Sequence, residues 1–366
     1  MNSVMVVGAG RIGVTIAELL GGSGDYAVTL LDASVSALER AGPMPNVAKL
    51  QLDLRDVRAL QLALRGQFAV LSAVPFHLTV PIAEAALAAG VHYLDLTEDV
   101  ANSAHVRQLA DAATSAFIPQ CGLAPGFVSI VAADLCRRFD TLQRVCLRTG
   151  ALPRYPSNAL GYNLTWSTDG LINEYCEMGQ AIVAGELRQV PALAGCETFA
   201  LDGVGYEAFH TAGGLGTLGL TLLGRVDQLD YKTIRYPGHA ALMQVLLHDL
   251  RLQEKERRPV LKDILEYALP GTQQDVVIVF VTATGWREGC YLQETYAHKI
   301  YSPMAGAGVP RSAIQLTTAS SICAVLDLLV AGRLSVRGFV RQEDIALADF
   351  LGNRFGQVFA RSEAPA

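Results

Sequence analysis

Three glycines, Gly8, Gly10 and Gly13, stand between an apolar run, Val4 to Val7, and a helix-forming run, Val14 to Leu20. A second apolar run, Val28 to Leu31, ends on Asp32. Strand, glycine turn, helix, strand and acid in this order are the signature of a dinucleotide cradle. Gly8 permits the tight turn, Gly10 lets the backbone approach a pyrophosphate, and Gly13 lets the helix pack close to the strand. The helix start at Arg11 and Ile12 offers free N–H groups and the positive end of its dipole to the phosphates. The Asp32 carboxylate can accept from both ribose hydroxyls and would repel a 2′-phosphate, which favours NAD over NADP. FAD is the other ligand such a turn can take.

Further polar groups fall where strands end, which is where ligands bind in an open parallel sheet. Asp53 follows the third apolar run and is placed to touch an adenine. Ala73-Val74-Pro75 closes the fourth run and would line the nicotinamide side. Asp95, Thr97 and Glu98 close the fifth, where Asp95 or Glu98 could hold an amine or merely cap the next helix.

Later in the chain, Glu207-Ala208-Phe209-His210-Thr211-Ala212-Gly213-Gly214 puts a histidine and a hydroxyl beside a glycine-rich turn. Tyr231 to His239 is denser. Strand alternation places Lys232 and Ile234 on one face and Thr233 and Arg235 on the other. Arg235 suits a bidentate grip on a carboxylate, and His239 falls at the start of a helix. Tyr162 to Ser167 is a third candidate segment, with Thr168-Asp169-Gly170 reading as a helix start. Histidines and cysteines do not cluster at zinc spacing, so no metal is expected. No GxSxG elbow is present.

The elements that must position these groups come in two kinds. Residues 1–122 alternate strand and helix signals, with Ala48 to Leu52, Phe68 to Ser72, His92 to Asp95 and Phe117 to Pro119 as further strands and Pro81 to Ala89 as a helix stopped by Gly90. Such alternation implies a doubly wound parallel α/β sheet of the Rossmann type. Residues 123–305 mix strands and helices and read as an α+β substrate domain. Tyr231 to Tyr236 is strand-like, Gly238 to Leu250 is helical, and Val276 to Thr282 pairs with Cys290 to His298 around Gly285. Residues 306–366 hold one long apolar helix after Ile314 with no sheet of its own, so it should return to the first domain. Its polar members and helical spacing argue against a membrane span.

Composition agrees with a well-cored two-domain protein. The 366 residues are 51% hydrophobic and 17% charged, and the net charge of -6 is spread without a basic block, which argues against nucleic acid. Seven scattered cysteines without a CxxC pair point to free thiols in a reducing compartment. No signal peptide is evident, so a cytoplasmic setting is expected.

GAGRIG, Asp32 and VHYLDLTED (91–99) resemble the saccharopine dehydrogenase-like oxidoreductases. GLAPGF (122–127), EAFHTAGG (207–214) and YKTIRYPGH (231–239) narrow the resemblance to the lysine 6-dehydrogenase group within them. The resemblance implies a Rossmann domain, a central domain that also makes the subunit contact of a homo-oligomer, and a C-terminal helix that returns to the Rossmann domain. It implies oxidation of L-lysine by NAD at the ε-amine, with release of ammonia and closure of the 6-semialdehyde to 1-piperideine-6-carboxylate. A lysine amine has a pKa of about 10.4 and must be neutral before its C–H bond is oxidised, so a base is required. His239, His210 and Lys232 are the candidates for it. Arg235 would clamp the substrate carboxylate, with Tyr162 and Thr211 beside it, and the fold must bring this segment over the nicotinamide. The competing readings are an opine-type dehydrogenase, whose substrate carries extra carboxylates and needs more arginines, and a non-catalytic nucleotide sensor.

Overall fold

A computed structural model describes residues 1–302 and 311–360. The chain divides into two compact units, one formed by Met1–Ile130 with the chain from Gln315 onward, the other by Val131–Ile314. The expected boundary at 305/306 falls outside the described residues. The division near 130 lies inside a helix, whereas the expectation placed it at 122/123.

The first unit begins β1 (Asn2–Val7), α1 (Arg11–Gly22), β2 (Tyr26–Asp32), α2 (Val35–Arg40), β3 (Val47–Gln51), α3 (Val57–Leu64) and β4 (Ala69–Ser72). It continues through α4 (Thr79–Ala89), β5 (His92–Asp95), α5 (Val100–Ala112), β6 (Ala116–Ile118) and the first residues of α6 (Phe127–Cys136), whose remainder belongs to the second unit. The strands lie parallel in the order β3-β2-β1-β4-β5-β6. Order reverses at β1, so the crevice between the carboxyl ends of β1 and β4 is the ligand position of this topology. Central strands of a parallel sheet are covered on both faces and therefore read as unbroken apolar runs. Val4 to Val7 and Ala69 to Leu71 are buried throughout. One face packs on Leu60, Leu64, Ile82, Ala86 and Val106 of α3, α4 and α5.

The second unit holds β7 (Thr141–Pro153), α7 (Thr168–Cys176), β8 (Gly179–Val183), β9 (Glu186–Val190), β10 (Glu197–Leu201) and β11 (Val204–His210). Then come α8 (Leu218–Leu222), β12 (Gln228–Arg235), α9 (His239–Gln244), α10 (Arg258–Ala268), β13 (Asp275–Arg287) and β14 (Cys290–Tyr301). The sheet runs β10-β11-β12-β7-β13-β14, with β8 and β9 beside β12. β7 is its middle, parallel to β12 and antiparallel to β13. The β13–β14 hairpin turns at Glu288-Gly289, both with positive φ, as a tight two-residue hairpin requires. Gly285 is not the turn. It lies within β13 at a register shift, and a Cβ there would stand 2.2 Å from the Thr141 carbonyl of β7. Glycine is present because two backbones meet.

The long helix is α11 (Ala313–Val330), followed by β15 (Gly338–Phe339) and α12 (Leu347–Gly352). It is long and apolar enough to cross a membrane, but 72% of it is buried inside the protein. Within the first unit it is held by Ser321 Oγ on the Gly122 carbonyl (2.9 Å) and by Asp327, which accepts from Tyr26 Oη (2.6 Å). β15 adds an edge strand to β6, which nothing in the short sequence Gly338-Phe339 announces.

Candidate functional site

At the carboxyl end of the first sheet, Gly8 has φ +106, and a Cβ on it would lie 2.7 Å from the Ala73 carbonyl. Gly13 is tighter, since its Cβ would lie 1.8 Å from the Gly8 carbonyl oxygen. These two glycines let β1, α1 and the Ala73-Val74-Pro75 segment after β4 come together. Gly10 differs from both. Nothing lies within 4 Å of its Cβ position and it is exposed. It also caps α1, which has no side-chain cap, whereas Ser34, Asp56 and Asp99 cap α2, α3 and α5. The start of α1 at Arg11 and Ile12 is thus an open set of backbone donors with space above it, which fits a pyrophosphate. Asp32 ends β2 beside this turn. Its Oδ2 accepts from the Ala9 N–H (2.7 Å) and its Oδ1 from the Ser34 N–H (2.8 Å). A carboxylate has about four lone-pair sites, so both oxygens retain capacity for ribose hydroxyls.

The other acids at this end divide by what they already hold. Asp53 lies past β3 in the grip of Arg55, with Nη2 at 2.5 Å from Oδ2, and that guanidinium holds its pKa down at about 2. Asp95 is fully buried. Its Oδ2 accepts from Tyr93 Oη (2.8 Å), and its Oδ1 accepts from the N–H groups of Thr97 (3.0 Å) and Gln120 (2.8 Å). Burial raises its pKa to about 6 despite these bonds. Asp95 therefore ties β5 to the chain after β6 and is not placed to hold a substrate amine. Asp99 is the N-cap of α5. Glu98 is the remaining acid of this run. It is half-buried just past β5, and its pKa is raised by burial and by the charges of Asp99 and Asp95.

In the second unit, register decides which candidates can act together. β11 and β12 pair Glu207 with Arg235 and Phe209 with Thr233 on one face. Ala208 with Ile234 and His210 with Lys232 take the other. The first face is covered by Tyr162, from the segment before α7, and by α7, α9 and α10 through Leu171, Tyr175, Met243 and Leu261. Arg235 is buried there at 2% exposure. Its guanidinium carbon lies 5.0 Å from the Tyr162 ring centroid and 5.7 Å from that of Tyr175. Its Nη1 donates to the Ile234 carbonyl (2.8 Å), while its buried Nε has no partner among the described residues. Burial works against the charge of Arg235, but Tyr175, Tyr162 and Glu174 outweigh it, and the pKa lies above the ordinary value. Thr211 joins the same face through a 2.7 Å bond to Thr233.

His239 belongs to this face in a fixed role. Its Nδ1 bonds the Leu160 carbonyl (2.8 Å), so that nitrogen carries the proton, and its Nε2 accepts from Tyr175 Oη (3.1 Å). Burial and the Arg235 charge push its pKa down to about 3. With both nitrogens engaged, His239 orients Tyr175 and is not placed as a base. Glu207 supports it from the strand below. The Glu207 carboxylate accepts from the N–H groups of Gly238 (2.8 Å) and Ala240 (2.6 Å), which fixes the start of α9.

His210 and Lys232 lie on the opposite face. His210 bonds the Tyr231 carbonyl through Nδ1 (3.3 Å) and packs on Gly195. Lys232 stands 3.4 Å from Glu197, which also takes Arg148 Nε at 2.6 Å. Neither shares a face with Arg235, so the three expected base candidates are not one constellation. The glycine turn at 213–214 has a packing cause, because a Cβ on Gly214 would stand 2.1 Å from the Tyr231 ring. Sequence reasoning missed Glu174, Tyr175 and Glu207. The first two sit on a helix whose Leu171, Ile172 and Tyr175 read simply as a core stripe. Glu207 was legible by alternation from Arg235 once β11 is paired with β12.

Comparison with known proteins bears on both units. Residues 4–118 match the saccharopine dehydrogenase NADP binding domain, and residues 122–355 match the saccharopine dehydrogenase C-terminal domain. The L-glutamate-forming, NADP(+) saccharopine dehydrogenase of Schizosaccharomyces pombe is 23% identical over 179 residues, which is 47% of this chain and 40% of that protein. The match thus spans less than half the length of that relative. The apo L-glutamate-forming saccharopine dehydrogenase of Saccharomyces cerevisiae has a similar structure, with a TM-score of 0.76 at 15% identity over 96% of this chain and 97% of that one. Homospermidine synthase from Legionella pneumophila, solved with NAD, gives 0.68 at 14% identity over 99% and 90%. At these identities the structural likeness is one of fold.

Proposed function

The chain belongs to the saccharopine dehydrogenase family of NAD(P)-dependent oxidoreductases, and we propose that it oxidises the ε-amine of L-lysine with NAD. The supporting observation is where the cations of the second unit lie. An opine-type substrate carries extra carboxylates and needs a guanidinium or ammonium for each. On the face lined by Tyr162 and Tyr175 the described cation is Arg235. Arg148 and Lys232 are on the other face, paired with Glu197, and Arg144 is paired there with Asp230. Arg188 is exposed beside Glu186, Arg225 is exposed, and Arg154 lies over Tyr155 and Tyr301. One guanidinium suits a substrate with one carboxylate.

In this reading the bound dinucleotide supplies the two-electron acceptor. Arg235 holds the carboxylate through the edge that carries its unpartnered Nε. A base must take the proton that makes the ε-amine neutral, and Glu98 of the first unit has the raised pKa such a base needs. Oxidation gives an imine, water adds, ammonia leaves, and the 6-semialdehyde closes to 1-piperideine-6-carboxylate. Asp32 supports NAD over NADP, since a 2′-phosphate would meet its carboxylate. A homo-oligomer joined through the second unit, and a cytoplasmic setting without nucleic-acid or membrane partners, complete the proposal. The test is NADH formation from L-lysine and NAD without a keto acid. A requirement for an amine and a keto acid together would favour the opine reading, and NAD binding without turnover on either would favour a sensor.

A further inference from the structure

The polar side chains on the Arg235 face of the second sheet are largely committed to partners within the fold. His239 bonds the Leu160 carbonyl and Tyr175 Oη. Glu207 holds the Gly238 and Ala240 N–H groups. Thr233 and Thr211 share a hydroxyl bond of 2.7 Å. On the strands of this face, two buried side-chain polar atoms have no partner among the described residues: Arg235 Nε and Thr149 Oγ1. Thr149 is 3% exposed.

Register places these two atoms together. β7 lies parallel to β12 and pairs Thr149 with Thr233. Register neighbours point to the same side of a sheet, so Thr149 shares the face of Thr233 and Arg235. Arg148 and Lys232, paired one position earlier, share the other. A strand spacing of about 4.8 Å and a rise of about 3.3 Å per residue set the Cα atoms of Thr149 and Arg235 about 8 Å apart on the diagonal. An arginine side chain with one bound carboxylate can cover that span.

A buried hydroxyl without a hydrogen bond is destabilising, and valine has the same shape without that cost. β13 uses valine at the register position beside Thr149, Val279. The Thr149 hydroxyl is thus a burden on the fold that a group from outside the chain can relieve. Arg235 Nε can only donate, and a threonine hydroxyl can donate as well. A carboxylate, with two acceptor oxygens on one carbon, answers both.

We infer that Thr149 is a ligand-binding residue of the Arg235 face, its hydroxyl donating to one oxygen of the substrate carboxylate whose other oxygen takes Arg235 Nε. This rests on the reading of Arg235 as the carboxylate clamp and extends that clamp to β7, the middle strand of the sheet.

The test compares Thr149→Val with Thr149→Ser. Without ligand, Thr149→Val should have a Tm equal to or above that of the wild type, because it removes an unmade hydrogen bond. Its KM for L-lysine should rise at least ~10-fold, the worth of a hydrogen bond to a charged group, with the Kd for NAD unchanged. Thr149→Ser keeps the hydroxyl and should restore most of that loss. A lower Tm for unliganded Thr149→Val overturns the inference, because the hydroxyl then serves the fold, and so does an unchanged KM. Saccharopine as a second substrate separates this inference from the reading beneath it. Turnover of saccharopine but not of L-lysine, with the KM for saccharopine raised in Thr149→Val, overturns the lysine reading and keeps the Thr149 contact. Turnover of L-lysine with an unchanged KM in Thr149→Val does the reverse. Failure of the wild type to bind either one in calorimetric titration with NAD present overturns both.

Discussion

The glycine turn after β1 and the Arg235 face of the second unit prepare for charged ligands by opposite means. At the turn the protein offers backbone. Gly10 is exposed with open space at its Cβ position, and α1 starts without a side-chain cap. Around Arg235 it offers a side chain, buried between two tyrosine rings and steadied by a neutral histidine network. Backbone recognition depends on where glycine is allowed, so it is stated in one short string. Side-chain recognition is assembled from α7, β11, β12 and α9, whose residues are far apart in the chain. The first is a general nucleotide cradle. In the proposed function the second is where substrate choice resides.

Substitutions can break that comparison, beginning with the most severe. Gly13→Val puts its Cβ against the Gly8 carbonyl, 1.8 Å away, and should unfold the first unit or cost more than about 4 kcal/mol, read as a collapse of Tm. Gly10→Ala should leave Tm unchanged and raise the Kd for NAD, because its methyl meets only ligand space. Equal thermal losses in the two variants would show that Gly10 is structural. On the other side, Arg235→Gln should raise KM for L-lysine by ~100-fold with the Kd for NAD unchanged, and an equal effect on both ligands would make Arg235 a scaffold residue.

Glu98→Gln should lower kcat by about 100-fold, the lower range of general-base catalysis. The sign of the pH dependence follows from the raised pKa of Glu98. Its carboxylate is the active form, so wild-type kcat should fall as pH drops through that raised pKa, at a higher pH than an ordinary glutamate would give. Glu98→Gln should lose that limb of the profile, and a retained limb would assign it to another group. Smallest is Asp32→Ala, which should weaken NAD by ~10-fold, or about 1.4 kcal/mol, and leave NADP little changed. An unaltered cofactor ratio would remove Asp32 from the specificity argument.

The parallel sheet, the glycine turn and Asp32 were legible in the sequence because each follows from a local rule of spacing. Asp53 and Asp95 looked like ligand contacts by position alone. Their carboxylates are consumed by Arg55 and by Tyr93, Thr97 and Gln120, partners that spacing does not disclose. β7 was not recognised as a strand, although it is the middle of the second sheet, because Arg144, Arg148 and Thr149 interrupt its apolar run. Those polar residues are tolerated where Arg144 and Arg148 meet Asp230 and Glu197 from neighbouring strands. Alternation along Tyr231 to Arg235 already separated Lys232 from Arg235. It did not reveal that His210 goes with Lys232, which needs the antiparallel register of β11 on β12. Tyr175 and Glu174 were invisible for the same reason, since a helix that fills a core and one that walls a site have the same pattern.

The most direct test of the account is the stoichiometry of one incubation: L-lysine and NAD with the purified protein, and no keto acid. NADH and ammonia should appear in equal amounts, with 1-piperideine-6-carboxylate as the carbon product. NADH formed without ammonia, or no NADH from L-lysine and NAD but oxidation of added NADH when an amine and a keto acid are supplied together, would contradict it.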